Sequence, residues 1–332
     1  MARAPKGWNM LKVSSPLGFF SGLFLLYMIE FRKIGIGKIK RRYSMEKIVV
    51  EVGSTVTKVD GYDGKCVKHL ADYVIEFKKN FKKENRLSEQ DVEELIKRVK
   101  KLQEEYENVY VCGTSVFRAL NDEQKREFLD KFKNNTDLDF DIISPEKENE
   151  FTVVGAAQKV NRKVAVFVGG GGSTEIAVYD NEIKEMVNTP IGVIDIMNMF
   201  PDLGDDLPKV SLDEVKKVVE EKLNVPNEQV DVLILAGGGH KRFALGSGFN
   251  YVENSLYENE NEPIMMDIET RINDTERYFK EISLDEIRGR VNDPDWWYAT
   301  RAMTAFVLVV AEKMGVKYVV PTDVSMVYGL LK

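Results

Sequence analysis

From Lys47 onward the apolar and polar positions switch between two periods. Lys47–Val52 is almost continuously apolar with one acid, Glu51, and reads as a strand. Gly53-Ser54 turns it, and Thr55–Val59, rich in β-branched residues, reads as a second strand. Asp63-Gly64 is a hairpin signal, and Cys66–Phe77 supplies a third strand. From Ser88 the period becomes helical, with Val92, Leu95, Ile96, Val99, Leu102 and Tyr106 on one face. Asn108–Cys112 predicts a buried strand, Ser115–Asn134 a helix, and Phe140–Ile143 a short strand. Ser144-Pro145 opens the next helix, with Ser as cap and Pro in the first turn.

The pattern then starts again. Lys163–Val168, Thr174–Tyr179 and Lys184–Thr189 form a second three-strand meander, with a glycine turn at Gly169–Gly172 and a hairpin turn at Asp180-Asn181. A capping box, Ser211 to Glu214, opens a helix, and Val232–Ala236 is a buried strand ending in Gly237-Gly238-Gly239. Asp293-Pro294 begins a long helix that Gly315 stops. Lys317–Val320 and a short helix from Val324 complete the chain. Gly53-Ser54-Thr55 recurs as Gly172-Ser173-Thr174, each between the first two strands of a meander, and a duplicated half-domain explains both. We expect half-domains at 45–144 and 145–332, with the last helix, about 324–332, packing back on the first. The acidic, Asn-rich stretch from about Ser247 to Ser283 reads as an irregular insertion carrying one helix. The basic stretch Lys78, Lys79, Lys82, Lys83 and Arg86 reads as a solvated connection, with a polyanion-contacting rim as the alternative.

Charge divides the chain. The first 44 residues hold nine Lys/Arg and one acid, Glu30, a net of +8 against −7 for the whole chain. Their apolar run, Leu17–Ile29, is shorter than the roughly 20 residues a spanning helix needs. Met45-Glu46-Lys47 before a strand resembles a natural protein start, so 1–44 is expected to be an upstream reading-frame artefact or a dispensable extension. A membrane anchor is the alternative. The net negative charge argues against a protein that binds a nucleic-acid duplex. Two cysteines, Cys66 and Cys112, exclude a disulfide framework or Cys-rich zinc site and suit a cytoplasmic protein. Two histidines, His69 and His240, exclude a paired-histidine zinc motif.

The chemistry then falls on the glycine turns. Such turns expose consecutive backbone N–H groups that cradle phosphate, and Ser or Thr hydroxyls add donors. Candidate phosphate-binding residues are Gly53, Ser54, Thr55, Gly170, Gly171, Gly172, Ser173 and Thr174, and neither Gly-Lys pair makes a Walker A loop. Glu51 and Glu175 lie in otherwise apolar strands, where a carboxylate is costly unless paired or metal-bound; they are candidate Mg²⁺ ligands. Gly113, Thr114 and Ser115 with Arg118 one turn later form a second candidate anion site. Glu148 is one of several acids opening the helix at Ser144-Pro145, and the residues alone do not single it out.

Together these peptides resemble the exopolyphosphatase and guanosine-pentaphosphate phosphohydrolase family, within the actin and sugar-kinase superfamily. The likeness runs from Met45 to Lys332, on Val50 to Ser54, Gly113-Thr114-Ser115-x-x-Arg118, Ile143-Ser144-x-x-x-Glu148, Gly170 to Glu175, Pro190-Ile191-Gly192 and Asp323 to Gly329. It implies an α/β fold of two actin-like (ribonuclease-H-like) half-domains with a substrate cleft between them. It also implies Mg²⁺-dependent release of terminal phosphate from inorganic polyphosphate or guanosine pentaphosphate, with Glu148 and Arg118 catalytic. The chain departs from the family pattern at four places. Glu51 replaces an Asp, Val168 stands where an Asp helps hold the metal, Pro145 replaces a Gly, and Lys147 replaces the first Glu of a catalytic pair. Alternatives are a superfamily ATPase or kinase using Ala236 to Gly239 for adenosine, and a phosphate- or nucleotide-sensing module without turnover. A homodimer is a further expectation, and membrane contact is expected only if residues 1–44 belong to the protein.

Overall fold

The computed structural model describes residues 45–158, 160–253, 264–288 and 299–331, with backbone alone at 82–84 and 287–288. The extension 1–44, the helix start at Asp293-Pro294 and the side chains of Lys82 and Lys83 lie outside the described residues. The first half alternates β1 (Lys47–Val52), β2 (Val56–Tyr62), β3 (Val67–Val74), α1 (Phe77–Glu84), α2 (Glu89–Glu105), β4 (Val109–Gly113), α3 (Asp122–Thr136) and β5 (Phe140–Ile142). The second runs through α4 (Pro145–Ala157), β6 (Val164–Gly169), β7 (Thr174–Tyr179), β8 (Ile183–Thr189), α5 (Val193–Met199), α6 (Leu212–Lys222), β9 (Val232–Ala236) and α7 (His240–Gly246). It ends with β10 (Val252–Glu253), β11 (Ile264–Asp267), α8 (Ile268–Lys280), α9 (Leu284–Arg288), α10 (Thr300–Met314), β12 (Tyr318–Pro321) and α11 (Met326–Leu330).

The duplication is visible in the sheet topology. The first sheet is ordered β3-β2-β1-β4-β5; the second contains β8-β7-β6-β9-β12 in the same order and adds β11 and β10 beyond β12. In both, the three meander strands are antiparallel and the next two join in parallel. Two ribonuclease-H-like sheets of one design make this the duplicated actin-like fold.

Strand alternation decides which residues face the other half. Ile48, Val50 and Val52 point to the helices α2 and α3, where Phe77, Phe117, Phe128, Phe132 and Phe140 interlock. Val49 points the opposite way, with Cys112 and Ile143, against Met326, Val327 and Leu330 of α11. Glu51, two residues after Val49, shares that face. In the second sheet Ala165 and Phe167 face α6 and α10, while Val164, Val166 and Val168 face Val153, Ala156 and Ala157 of α4. Thus α4 and α11 form the layer between the sheets. They cross at Gly155 and Gly329: a Cβ on Gly329 would lie 2.2 Å from Phe151 O, so no side chain fits there. Lys47 Nζ donates to Leu330 O and ties α11 to β1.

Three local expectations change. The helix expected over Ser115–Asn134 is broken: Ser115–Phe117 is a 3₁₀ turn, and α3 begins after Asn121. Asn121 and Gln124 form a reciprocal capping box there, which ends the preceding loop. The basic stretch is helix α1 rather than a plain connection, anchored by fully buried Phe77. The stretch 247–283 holds a sheet strand, β11, paired to β12, besides the helix α8. Among the described residues no helix is long and apolar enough to cross a membrane.

Candidate active site

Both hairpin turns have one backbone plan. Gly53 N donates to Val56 O at 3.1 Å, and Gly170 N donates to Ser173 O at 2.9 Å. Gly53-Ser54-Thr55 is therefore equivalent to Gly170-Gly171-Gly172. The matching tripeptide Gly172-Ser173-Thr174 lies two residues out of register, a correction to the sequence repeat. In the first turn the carbonyls of Ser54 and Thr55 accept from Lys78 N and Ile75 N at 2.9 and 3.0 Å. In the second, those of Gly170 and Gly171 accept from Val193 N and Ile194 N at 3.1 and 2.9 Å. A trans peptide aims its N–H opposite its C=O. Tying the carbonyls back therefore turns the N–H groups of Gly171 and Gly172 together away from α5, and that of Thr55 away from α1. Gly192 makes this approach possible, since a Cβ there would lie 2.4 Å from Gly171 C. Asp195 Oδ2 accepts from Gly192 N at 2.8 Å and fixes that loop.

The third loop meets the first turn. Ser54 Oγ donates to Ser115 Oγ at 2.7 Å. Ser115 has φ +42°, a strained left-handed conformation for a non-glycine residue, of the kind that collects at functional sites. Arg118 Nη1 donates to Ile143 O at 3.2 Å and to Glu148 Oε2 at 2.9 Å, so the two expected catalytic side chains form an ion pair across the halves. Ser144 Oγ accepts from Lys147 N at 3.3 Å and starts α4 so that Glu148 sits in its first turn.

Glu148 also couples two further acids. Glu51 is raised above the ordinary carboxylate range, chiefly by burial; Lys58 opposes the shift, and Glu148 and Asp60 add to it. Its Oε2 is buried without a hydrogen-bond partner among the described residues. Glu175, 5% exposed, is likewise raised by burial; hydrogen bonds from Ser173 and Asn149 oppose this, and Glu148 adds to it. No three Asp, Glu, His or Cys side chains converge as a metal cage among the described residues. The orphan oxygen of Glu51 nonetheless fits Mg²⁺, which takes one or two carboxylates and completes its shell with phosphate oxygens and water.

A model of the Ppx/GppA phosphatase family matches residues 56–286. The chain belongs to the Ppx/GppA phosphatase family. Among solved structures it is similar to the Ppx/GppA phosphatase of Aquifex aeolicus in its type II variant, with TM-score 0.67 and 20% identity over 86% of this chain and 98% of that one. It is also similar to an exopolyphosphatase from Cytophaga hutchinsonii, with TM-score 0.57 and 16% identity over 86% and 96% of the two chains. At these identities the likeness establishes the fold. No curated protein matches the chain.

Within this Ppx/GppA frame the expected site residues divide. Ser54, Thr55, Ser115, Gly171 and Gly172 line the accessible turns, and Gly53 and Gly170 close them. Four residues do not present donors to a ligand. Thr174 is buried, and its hydroxyl donates to Ile191 O at 2.8 Å. Gly113 is buried and packed against the rings of Phe140 and Phe117, and Thr114 is buried beside it. The hydroxyl of Ser173 is turned to Glu175. Lys147, at the family's missing Glu, points outward to Glu150 at 2.5 Å. Asp323 holds the start of α7, accepting from Lys241 N and Arg242 N at 3.1 and 3.3 Å. Sequence reading missed Asn149, visible only as the neighbour of Glu148, and Lys58, which register places opposite Glu51.

Proposed function

We propose that the chain hydrolyses a terminal phosphoanhydride of inorganic polyphosphate or of guanosine pentaphosphate in the presence of Mg²⁺. The observation that carries the reading is the pair of hairpin turns in one register, with the N–H groups of Gly171 and Gly172 turned outward together in the second and that of Thr55 in the first. Adjacent phosphates of a polyphosphate chain suit two such turns. Fixed N–H dipoles stabilise developing charge without reorganising, which is where electrostatic catalysis is strongest. Arg118 neutralises charge on the transferring group, and Glu148, held by Arg118 and the first turn of α4, orients or deprotonates the attacking water. Glu51 and Glu175 would hold Mg²⁺, which when bound offsets phosphate charge. Free Cys66 and Cys112 suit the reducing cytoplasm as its place.

One observation favours a second reading. Val168, 9% exposed, supplies no carboxylate on the incoming strand of the second turn, so a phosphate- or nucleotide-sensing module without turnover is the alternative. Phosphate release from both substrates, measured with and without Mg²⁺ for wild type and Glu148→Gln, separates them. Hydrolysis predicts Mg²⁺-dependent release that falls about 10²- to 10⁴-fold in the variant. Binding with no release at any Mg²⁺ concentration selects the sensor, and full activity in Glu148→Gln removes that residue from the mechanism.

A further inference from the structure

On β7 the side chains of Glu175, Ala177 and Tyr179 alternate onto one face of the second sheet, toward α4. Ala177 and Tyr179 pack there with Val153, Ala156 and Ala157 of α4. Positions three and four apart share one face of a helix, so the residue one turn before Val153 on that stripe is Asn149. It is an amide where the rest of the stripe is apolar. Its neighbour on the sheet is Glu175: Asn149 hydrogen-bonds to that carboxylate from α4, and Ser173 does so from the turn. Thr152, a polar residue on the same side of the helix, returns its hydroxyl to Glu148 O at 2.8 Å and leaves the carboxylate to Asn149.

A buried carboxylate needs donors, and the kind of donor decides what it can still do. A Lys or Arg in this place would neutralise Glu175 and close it to a cation. Glu148 shows the contrast, since its carboxylate is paired with Arg118 at 2.9 Å. An amide donates a hydrogen bond and carries no charge. It fixes the plane of the carboxylate and leaves lone pairs on both oxygens. Val168 makes such a partner necessary. It is the register partner of Glu175 and supplies no carboxylate, so the inward acid of the second turn is a long side chain on the outgoing strand. A Glu has several torsions to fix before its oxygens point one way. Groups that orient a metal-holding carboxylate are worth about 10- to 100-fold in metal affinity.

We propose that Asn149 is a positioning residue for a divalent cation: it holds the Glu175 carboxylate in the orientation that receives the ion, in place of the acid that Val168 lacks. Asn149 touches neither ion nor substrate and acts through Glu175 alone. The proposal rests on the Mg²⁺ reading of Glu175 under the proposed function.

The test uses Mn²⁺ alone, whose free aquo ion gives an electron paramagnetic resonance signal that is lost on binding. It is titrated into wild type, Asn149→Leu, Asn149→Ala, Glu175→Gln and the double variant Asn149→Leu/Glu175→Gln, each shown to be folded by its melting curve. Leu keeps about the volume of Asn and removes the donor, and Ala carries the same test without overpacking. Glu175→Gln is expected to weaken Mn²⁺ binding at least about tenfold, and each Asn149 variant about tenfold. The double variant is expected to bind no more weakly than Glu175→Gln, because Asn149 then has no carboxylate to orient. A residue that only fills space would be replaced by Leu without loss. Wild-type affinity in the folded Asn149 variants, or a further tenfold loss in the double variant, overturns the positioning role and leaves Glu175 as a ligand. If Mn²⁺ fails to bind wild type, or binds Glu175→Gln as it binds wild type, the Mg²⁺ reading of Glu175 fails and the positioning role with it.

Discussion

At the first turn an acid, Glu51, stands on the incoming strand two residues before Gly53, and Lys58 faces it across the hairpin. At the second turn Val168 occupies the place of Glu51, and Glu175 the place of Lys58. The hairpin registers match, but the carboxylate has moved from the incoming to the outgoing strand. Register-paired residues share one face of a sheet, so either position points the acid toward the layer of α4 and α11. The second half has thus kept an inward carboxylate although Val168 removed the expected one. What the duplication preserves is the hairpin register of the turns; the side chains behind them are exchangeable between paired strands.

The largest effect expected from this comparison is at Gly192, which only the second turn leans on. Gly192→Ala places a Cβ 2.4 Å from Gly171 C and cannot be accommodated without moving the turn. Overpacking of this kind costs about 1–3 kcal/mol, so the melting temperature falls by several degrees and phosphate binding is lost. Wild-type melting and binding in Gly192→Ala would show that the second turn does not depend on this contact.

The two acids give the next contrast. Burial raises both Glu51 and Glu175, so the stability each contributes is complete below its unfolded pKa and is lost as pH rises through the raised folded value. At pH 7.5 without metal, Glu51→Gln should therefore melt higher, on the order of 2 °C. Glu175→Gln should gain less, because Ser173 and Asn149 already hydrogen-bond to that carboxylate. Mg²⁺ should raise the melting temperature of wild type and lose most of that effect in Glu51→Gln. An equal Mg²⁺ response in both proteins would remove Glu51 as a ligand.

The smallest effect is at Ser54, whose equivalent in the second turn is Gly171, with no hydroxyl. Ser54→Ala removes the bond to Ser115 and should raise KM by about two- to fivefold with kcat unchanged. A large fall in kcat instead would place Ser54 at the reacting phosphate.

Much of this fold could be read from hydrophobic periodicity. The near-continuous apolar runs Lys47–Val52, Lys163–Val168 and Val232–Ala236 are strands because they are buried on both faces. The break at Asn121 was also legible, since Asn121 and Gln124 are spaced as a capping box, but the helical pattern running through it concealed it. Helix α1 has too few apolar positions for its period to show. The repeat was misaligned because identical letters were matched where the hairpin register aligns Gly53 with Gly170. The ion pair of Arg118 with Glu148 joins residues 30 apart in the chain, and no local pattern announces it. The burial of Arg271, 2% exposed on α8, was invisible for the same reason: its stretch is acidic, and the burial comes from tertiary packing.

The central claim is that the outward N–H groups of the glycine turns hold phosphate. Gly172 tests it most directly, because a Cβ there meets nothing within 4 Å. Gly172→Ala keeps the N–H and Gly172→Pro removes it, with the preceding Gly171 tolerant of the proline. Calorimetric titration with tripolyphosphate and Mg²⁺ is predicted to give wild-type affinity for Gly172→Ala and at least about a tenfold loss for Gly172→Pro at unchanged melting temperature, the worth of a hydrogen bond to a charged group. Equal affinity of the two folded variants would contradict the account.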